Sequence, residues 1–333
     1  MSLLEIENLN VYYMTNSKKV HAVRNLSLKM EEGEVLGLVG ESGSGKSTFG
    51  MSLLRILSES AKITADRMVF KRVNSNGESL DSEILKLSET NLRRLRWSHI
   101  SMIFQSSMNS LNPVARIEDQ LTDALFWHGY KKGIINERID NYLRLAGLPE
   151  SVRYSYPHEL SGGMKQRVAI AMSLICNPEL VIADEPTTAL DVVVQRKILK
   201  LLVESKSKLK LSVIFITHDI SLLASLAQRV GVMYAGSLVE LAPANELFKN
   251  PRHPYSIGLM ATIPKLKEVR DELFELPGSP PDMSKEVVGC PFAPRCKHVS
   301  QICMSQTPGL REITPGHMVS CHNVEVIKNG TYN

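Results

Sequence analysis

The sequence predicts an α/β fold with a largely parallel sheet, and three observations lead to it. Short apolar runs are each followed by a polar turn and a helical pattern, the first of these turns is glycine-rich, and the opening segment alternates as antiparallel strands do. With 333 residues and 43% hydrophobic content, the chain can bury one full α/β domain and still carry a smaller appendage.

The elements follow in order. Leu3 to Met30 reads as two antiparallel strands joined through Thr15-Asn16-Ser17-Lys18-Lys19. Val35-Leu36-Gly37-Leu38-Val39 is a continuous apolar strand leading into a glycine-rich turn and a helix from Lys46 to Leu57. Ile100 to Phe104 is a further strand. Between Gln105 and Ser161 helical patterns replace strand signals, as at Gln120 to Trp127 and Ile135 to Ala146, so a helical subdomain over about 106–170 is inserted there. Strands at Leu180 to Ala183 and Val213 to Thr217 each precede a polar turn and a helical pattern. Past Asn250, repeated prolines interrupt regular structure. We therefore expect a main domain over 1–250 and a small, loop-rich, cysteine-containing extension over 251–333.

No apolar run approaches the roughly 18–20 residues that span a bilayer, and the acidic opening Met1-Ser2-Leu3-Leu4-Glu5-Ile6-Glu7 is unlike a signal peptide, so a cytoplasmic protein is expected. The net charge of +4 arises from 39 basic and 35 acidic residues spread along the chain. Without a long basic run, no nucleic-acid partner is expected.

Gly40-Glu41-Ser42-Gly43-Ser44-Gly45-Lys46-Ser47 fits G-x-x-x-x-G-K-[ST] in the context that gives this pattern its meaning, after an apolar strand and at a helix N-terminus. Backbone N–H groups of such a loop curl around the β- and γ-phosphates of a nucleotide, and the helix dipole favours the anion. Lys46 adds a point charge and Ser47 offers a hydroxyl to Mg²⁺. Gly40, Ser42, Gly43, Ser44, Gly45, Lys46, Ser47 and Thr48 are the candidate nucleotide-binding residues. Downstream, Leu180-Val181-Ile182-Ala183-Asp184-Glu185 brings two carboxylates to the end of a strand, where ligands bind in α/β sheets. Alone the acidic pair would read as a helix cap. With the upstream loop, Asp184 is expected to hold Mg²⁺ and Glu185 to take a proton from the attacking water.

Leu160-Ser161-Gly162-Gly163-Met164-Lys165-Gln166-Arg167 matches the LSGGQ-type signature, and on it the chain resembles the ABC ATPases, with a RecA-like phosphate-loop core. In physical terms, Ser161, Gly162 and Gly163 open an amphipathic helix, Met164 to Cys176, whose N-terminus suits a γ-phosphate. The resemblance implies that this motif closes over ATP held by a second subunit. It also implies that Gln105 is the Q-loop glutamine, touching Mg²⁺ or the lytic water, that Asp191 belongs to the D-loop, and that His218 is the switch histidine. It places Tyr13 on the adenine, with Tyr12 as the runner-up. Phe104-Gln105-Ser106-Ser107-Met108-Asn109-Ser110-Leu111-Asn112-Pro113 and Asn250-Pro251-Arg252-His253-Pro254-Tyr255 resemble the motors of the oligopeptide/dipeptide importers in particular. Departures are the segment Ala61 to Leu80, which is hard to match, and Thr188 where many such motors have Ser.

Cys290, Cys296, Cys303 and Cys321 crowd the tail, with His317 and His322 close by, at a spacing seen in tails of this importer family. Four thiolates suit a [4Fe–4S] cluster, with zinc and reduced or disulfide-linked cysteines as the alternatives, and the spacing does not choose between the metals. Cys176, alone on an apolar helical face, reads as a small core residue.

The leading reading is thus an ATP- and Mg²⁺-dependent ATPase at the cytoplasmic face of the membrane. Its expected partners are a second ATPase subunit (a different motor, with a homodimer as the alternative), two transmembrane permease subunits and an extracytoplasmic binding protein. Peptide is the default cargo, with oligosaccharide or nickel as alternatives. An ABC protein acting on DNA or ribosomes would carry long coiled coils or tandem ATPase domains, which this chain does not show. A subunit with a degenerate site is opposed by the intact Lys46, Asp184, Glu185 and His218.

Overall fold

The computed structural model describes residues 1–15, 18–73, 79–105, 110–187, 195, 211–262 and 276–327. Two compact units emerge, one formed by Met1, Glu31–Glu34 and Lys86–Phe215, the other by Ser2–Met30, Val35–Leu85 and Ile216–Asn333.

The second unit begins with β1 (Ser2–Met14) and β2 (Lys19–Glu31), the two long strands that the alternation predicts. Next come β3 (Val35–Val39), buried along its length, and α1 (Lys46–Leu53). The helix stops short of Leu57 because Arg55 turns left-handed at φ 50°. In the stretch that the resemblance leaves unmatched lie β4 (Ala61–Thr64), β5 (Arg67–Val73) and β6 (Ser79–Glu83). They complete an antiparallel sheet of order β2-β1-β5-β6, with β4 also on β1. Glu5, a buried carboxylate at its centre, is matched by Lys71 at 2.9 Å and Arg67 at 3.0 Å on β5.

The first unit holds α2 (Glu89–Leu95), β7 (Ile100–Ile103), α3 (Ile117–Trp127), α4 (Lys132–Leu145), α5 (Gly162–Leu174), β8 (Leu180–Asp184) and β9 (Ser212–Ile216). The strands run β9-β8-β7, with β7 and β8 parallel and all three buried, as the apolar runs of β8 and β9 require; in β7 the buried Ser101 hydroxyl donates to the Ser173 carbonyl at 2.6 Å. Helices α3 and α4 each bury one apolar stripe. Arg153 ties them together, 3.2 Å from Glu118 and 2.7 Å from Asp140. Helix α5 corrects an expectation: it starts at Gly162 rather than Met164 and is not amphipathic, because Val168, Ala169, Ile170 and Ala171 are buried in succession.

The second unit resumes with α6 (Ile220–Leu226), β10 (Arg229–Tyr234), β11 (Ser237–Pro243), α7 (Ala244–Lys249), α8 (Pro254–Ala261), α9 (Gln301–Ser305), β12 (Arg311–Thr314) and β13 (His317–Val319). Its strands run β12-β13-β11-β10-β3, with β10 parallel to β3 and β13 antiparallel to β11. The β10–β11 hairpin turns through Ala235 and Gly236, both left-handed at φ 47° and 83°, the geometry that matches strand twist in a two-residue turn. The segment past Asn250 carries more order than its prolines suggest. Pro254 sits in the first turn of α8, where a missing N–H costs nothing, and Tyr255 and Ile257 are buried behind it.

Candidate functional site

The phosphate-loop sequence forms the predicted strand, loop and helix. Gly45 caps α1 in a left-handed conformation, φ 99°, and Gly40 lies at φ 150°. Both glycines are required sterically: a Cβ at Gly40 would lie 2.1 Å from the Met233 carbonyl oxygen, and one at Gly45 would lie 2.4 Å from that of Ala22. The hairpin turn supports the loop, since Gly236 donates its N–H to the Ser44 carbonyl at 3.0 Å. The buried Lys46 ammonium donates to the carbonyls of Gly40 and Glu41, at 2.7 and 2.9 Å, and to Ser44 Oγ at 3.1 Å. Ser42 and Gly43 are exposed, while Ser47 and Thr48 are half-buried at the helix start.

Glu41 is held by two residues to which the sequence reading gives no role. Arg295, between β11 and β12 in the chain, meets its carboxylate fork to fork, Nη1 to Oε2 and Nη2 to Oε1, both at 2.9 Å. The Glu41 N–H donates to the Tyr255 hydroxyl at 2.9 Å. These contacts join residues 254 and 214 positions apart, so no local pattern signals them.

Also in this unit, Tyr12 and Tyr13 are half-buried neighbours on β1. Tyr12 is engaged, stacked on His21 at 4.1 Å between ring centroids with the Lys19 ammonium 4.0 Å above it. His218 is exposed after β9, next to Asp219, whose carboxylate caps α6 by accepting the Ser221 N–H at 3.0 Å.

In the first unit, β8 ends on the buried Asp184, and Glu185 follows in a left-handed conformation, φ 45°, uncommon for a residue with a side chain. Gln105 and Glu185 are brought together, the amide Nε2 donating to the carboxylate at 2.9 Å. The exposed Ser161 caps α5 by accepting the Met164 N–H at 3.3 Å, with Gly162 and Gly163 in the first turn. One tie escapes the sequence: buried Gln166 on α5 donates to the Pro186 carbonyl at 2.7 Å, linking the signature helix to the segment that carries Glu185. Asp191 and the stretch Ser106-Ser107-Met108-Asn109 lie outside the described residues.

The four tail cysteines form no disulfide and lie in the second unit. Burial pushes Cys296 and Cys321 up to about 11, and the neighbouring thiols add to this. The His298 N–H points at Cys296 Sγ, 3.3 Å away, and Ser300 Oγ lies 3.4 Å from Cys303 Sγ. Among the described residues no group of three or more His, Cys, Asp or Glu is gathered at metal-binding spacing. His317 faces Glu240 at 2.7 Å, and His322 reaches the Gln306 carbonyl at 2.9 Å. Cys176 is buried, as expected for a core residue, and burial pushes its thiol up to about 11.

Taken together, strand, glycine loop, signature helix and acidic strand end define an ATPase of the ATP-binding cassette class. The ABC transporter family matches residues 23–188, and the family "Oligopeptide/dipeptide transporter, C-terminal region" matches 239–303. The chain is 43% identical over 323 residues to the oligopeptide transport ATP-binding protein OppD of Escherichia coli K12, covering 96% of this chain and 93% of that one. It is 41% identical to the dipeptide transport ATP-binding protein DppD of Bacillus subtilis 168, with 96% and 94% covered. A solved dimer of the ATP-binding cassette MJ0796, in a post-hydrolysis state with ADP and Pi, superimposes with a TM-score of 0.61 at 26% identity, covering 72% of this chain and 98% of that one. The chain belongs to the oligopeptide/dipeptide branch of the ABC transporter ATP-binding proteins.

Proposed function

We propose that this chain is the ATP-binding and ATP-hydrolysing motor subunit of an ABC importer that takes up oligopeptides or dipeptides. The observation that carries this reading is the joining, on one chain, of a complete phosphate-loop cassette to the oligopeptide/dipeptide C-terminal region, with near full-length similarity to OppD and DppD. Within it, Gly40, Ser42, Gly43, Ser44, Gly45, Lys46, Ser47 and Thr48 bind the nucleotide phosphates and Tyr13 stacks on the adenine. Ser47, Gln105 and Asp184 serve Mg²⁺, which neutralises phosphate charge when bound. Glu185 accepts the proton of the attacking water, His218 hydrogen-bonds the γ-phosphate and helps to polarise that water, and Ser161, Gly162, Gly163 and Asp191 complete the site of a partner motor. The Gln105 amide on Glu185 supports this assignment, because it fixes the carboxylate that must accept the proton.

The proposed assembly pairs this motor with a second, different one on two membrane permease subunits, served by an extracytoplasmic binding protein. Among the described residues no helix is long and apolar enough to cross a membrane, which is compatible with a peripheral place at the cytoplasmic face. Residues 1–250 form the motor and 251–333 its extension. In that extension we propose a four-thiolate centre, [4Fe–4S] with zinc as the alternative. What supports it is four disulfide-free thiols in one short tail, with the His298 N–H aimed at Cys296 Sγ. Iron, acid-labile sulfide and zinc in anaerobically purified protein decide it, and no metal of either kind would sink it.

For the transport reading, the chain is reconstituted with its permease and binding-protein partners in proteoliposomes. ATP-dependent accumulation of a labelled tripeptide, lost with Glu185→Gln, is expected. Accumulation of an oligosaccharide or nickel instead would overturn the peptide assignment.

A further inference from the structure

We propose that Arg295 and Tyr255 are positioning residues of the ATP site, clamping the phosphate loop through Glu41. The inference rests on the reading of residues 40–47 as the phosphate loop.

The argument starts from charge. A carboxylate in a loop that must receive a triphosphate repels it unless neutralised. Glu41 is that carboxylate, and Arg295 covers it with two parallel charge-assisted hydrogen bonds of 2.9 Å. The guanidinium is fixed in turn: Nε donates to the Pro277 carbonyl at 2.8 Å and Nη1 to the Tyr234 hydroxyl at 3.3 Å. Burial works against its charge, but the hydrogen bonds to Glu41 and Tyr234 outweigh this and hold it protonated. Only 5% of the Arg295 side chain is exposed, against 25% of Glu41, so water reaches the pair from the carboxylate side alone.

The second contact acts on the backbone. Tyr255 is wholly buried, and burial raises its pKa, so a neutral hydroxyl accepts the Glu41 N–H. That hydroxyl sets the peptide between Gly40 and Glu41, and the carbonyls of these two residues are the ones that hold the Lys46 ammonium. Tyr234, Tyr255 and Phe292 pack against one another, with ring centroids 4.6 to 5.5 Å apart, and brace both clamp residues. The segment after Asn250 thus supplies one loop-facing charge and one loop-facing hydroxyl, and makes nucleotide affinity depend on that segment being folded.

The test is a titration of the full chain with a fluorescent ATP analogue, with thermal unfolding followed in parallel. Arg295→Met is expected to weaken binding about ten-fold, because it leaves Glu41 uncompensated. Arg295→Met combined with Glu41→Gln should return to within about three-fold of the parent, since no bare carboxylate remains. A merely structural arginine would not be rescued by that second change. Tyr255→Phe, which deletes one oxygen, should weaken binding about three-fold with little change in melting temperature, and it serves as the test if Arg295→Met does not fold. Parental affinity in Arg295→Met or Tyr255→Phe, or a double variant as weak as Arg295→Met, overturns the clamp. Lys46→Ala is the control for the underlying reading: if it binds like the parent, the loop assignment itself is at fault.

Discussion

Three glycines of the phosphate loop take left-handed backbone angles, yet the structure separates their roles. A methyl at Gly40 would strike the Met233 carbonyl oxygen at 2.1 Å, whereas one at Gly43 meets nothing within 4 Å. Gly43→Ala should therefore cost only the backbone term, about 1 kcal/mol, while Gly40→Ala adds a backbone clash and should cost roughly 3 kcal/mol or more, with loss of nucleotide binding. Thermal unfolding of the two variants checks this, and equal losses would refute the distinction. Glu185, at φ 45°, is a residue with a side chain in the same region, and backbone of this kind is retained where the surroundings fix it. Glu185→Gln keeps the shape but removes the proton acceptor. Steady-state ATPase of the assembled transporter should fall by roughly two to four orders of magnitude while ATP binding persists. A variant that kept its turnover would exclude Glu185 as the base.

At the scale of elements, the start of α8 shows how a buried ionisable group becomes a pH limit. His253 caps this helix by accepting the Tyr255 N–H at 3.0 Å, and Glu240 accepts the N–H groups of Arg252 and His253 at 2.7 and 2.9 Å. Burial lowers His253 to about 4, with Glu240 pulling the other way. The unfolded chain, near 6.5, therefore takes up a proton that the folded chain refuses. Stability is complete above pH 6.5 and falls as pH drops towards 4, by about 3 kcal/mol across the window for this one group. His253→Asn retains a cap acceptor and removes the titration, so its melting temperature should fall less steeply between pH 6.5 and 4. An unchanged slope would show that another group sets the limit. The same scale explains the strands β4 to β6. Of these, β4 and β6 are short and much of their length is exposed, and Ser79–Glu83 contains a single apolar residue, so hydrophobic periodicity does not reveal them, whereas β5 buries Met68, Val69 and Phe70 in succession.

For the whole molecule, the proposal is that each motor completes the ATP site of another. ATP should then act as a ligand that binds the paired state. In size-exclusion chromatography with ATP, the Glu185→Gln chain should elute as a monomer alone and as a dimer once mixed with the second motor of its transporter. A homodimer formed by this chain alone would replace the heterodimer proposal. What the sequence determined by itself was everything encoded locally: the buried strands β3, β8 and β9, whose apolar runs are unbroken, the glycine loop that only one backbone path satisfies, and the signature at the start of α5. The tertiary structure decided what depends on residues distant in the chain. It gave β1 its partners β4 and β5, placed β13 beside β11, and set Arg295 on Glu41 and Tyr255 beneath the phosphate loop. The physical reason is that apolar period and turn chemistry are properties of neighbours along the chain. A fork of hydrogen bonds across 254 positions exists only after the chain has folded and water has been removed from around the guanidinium.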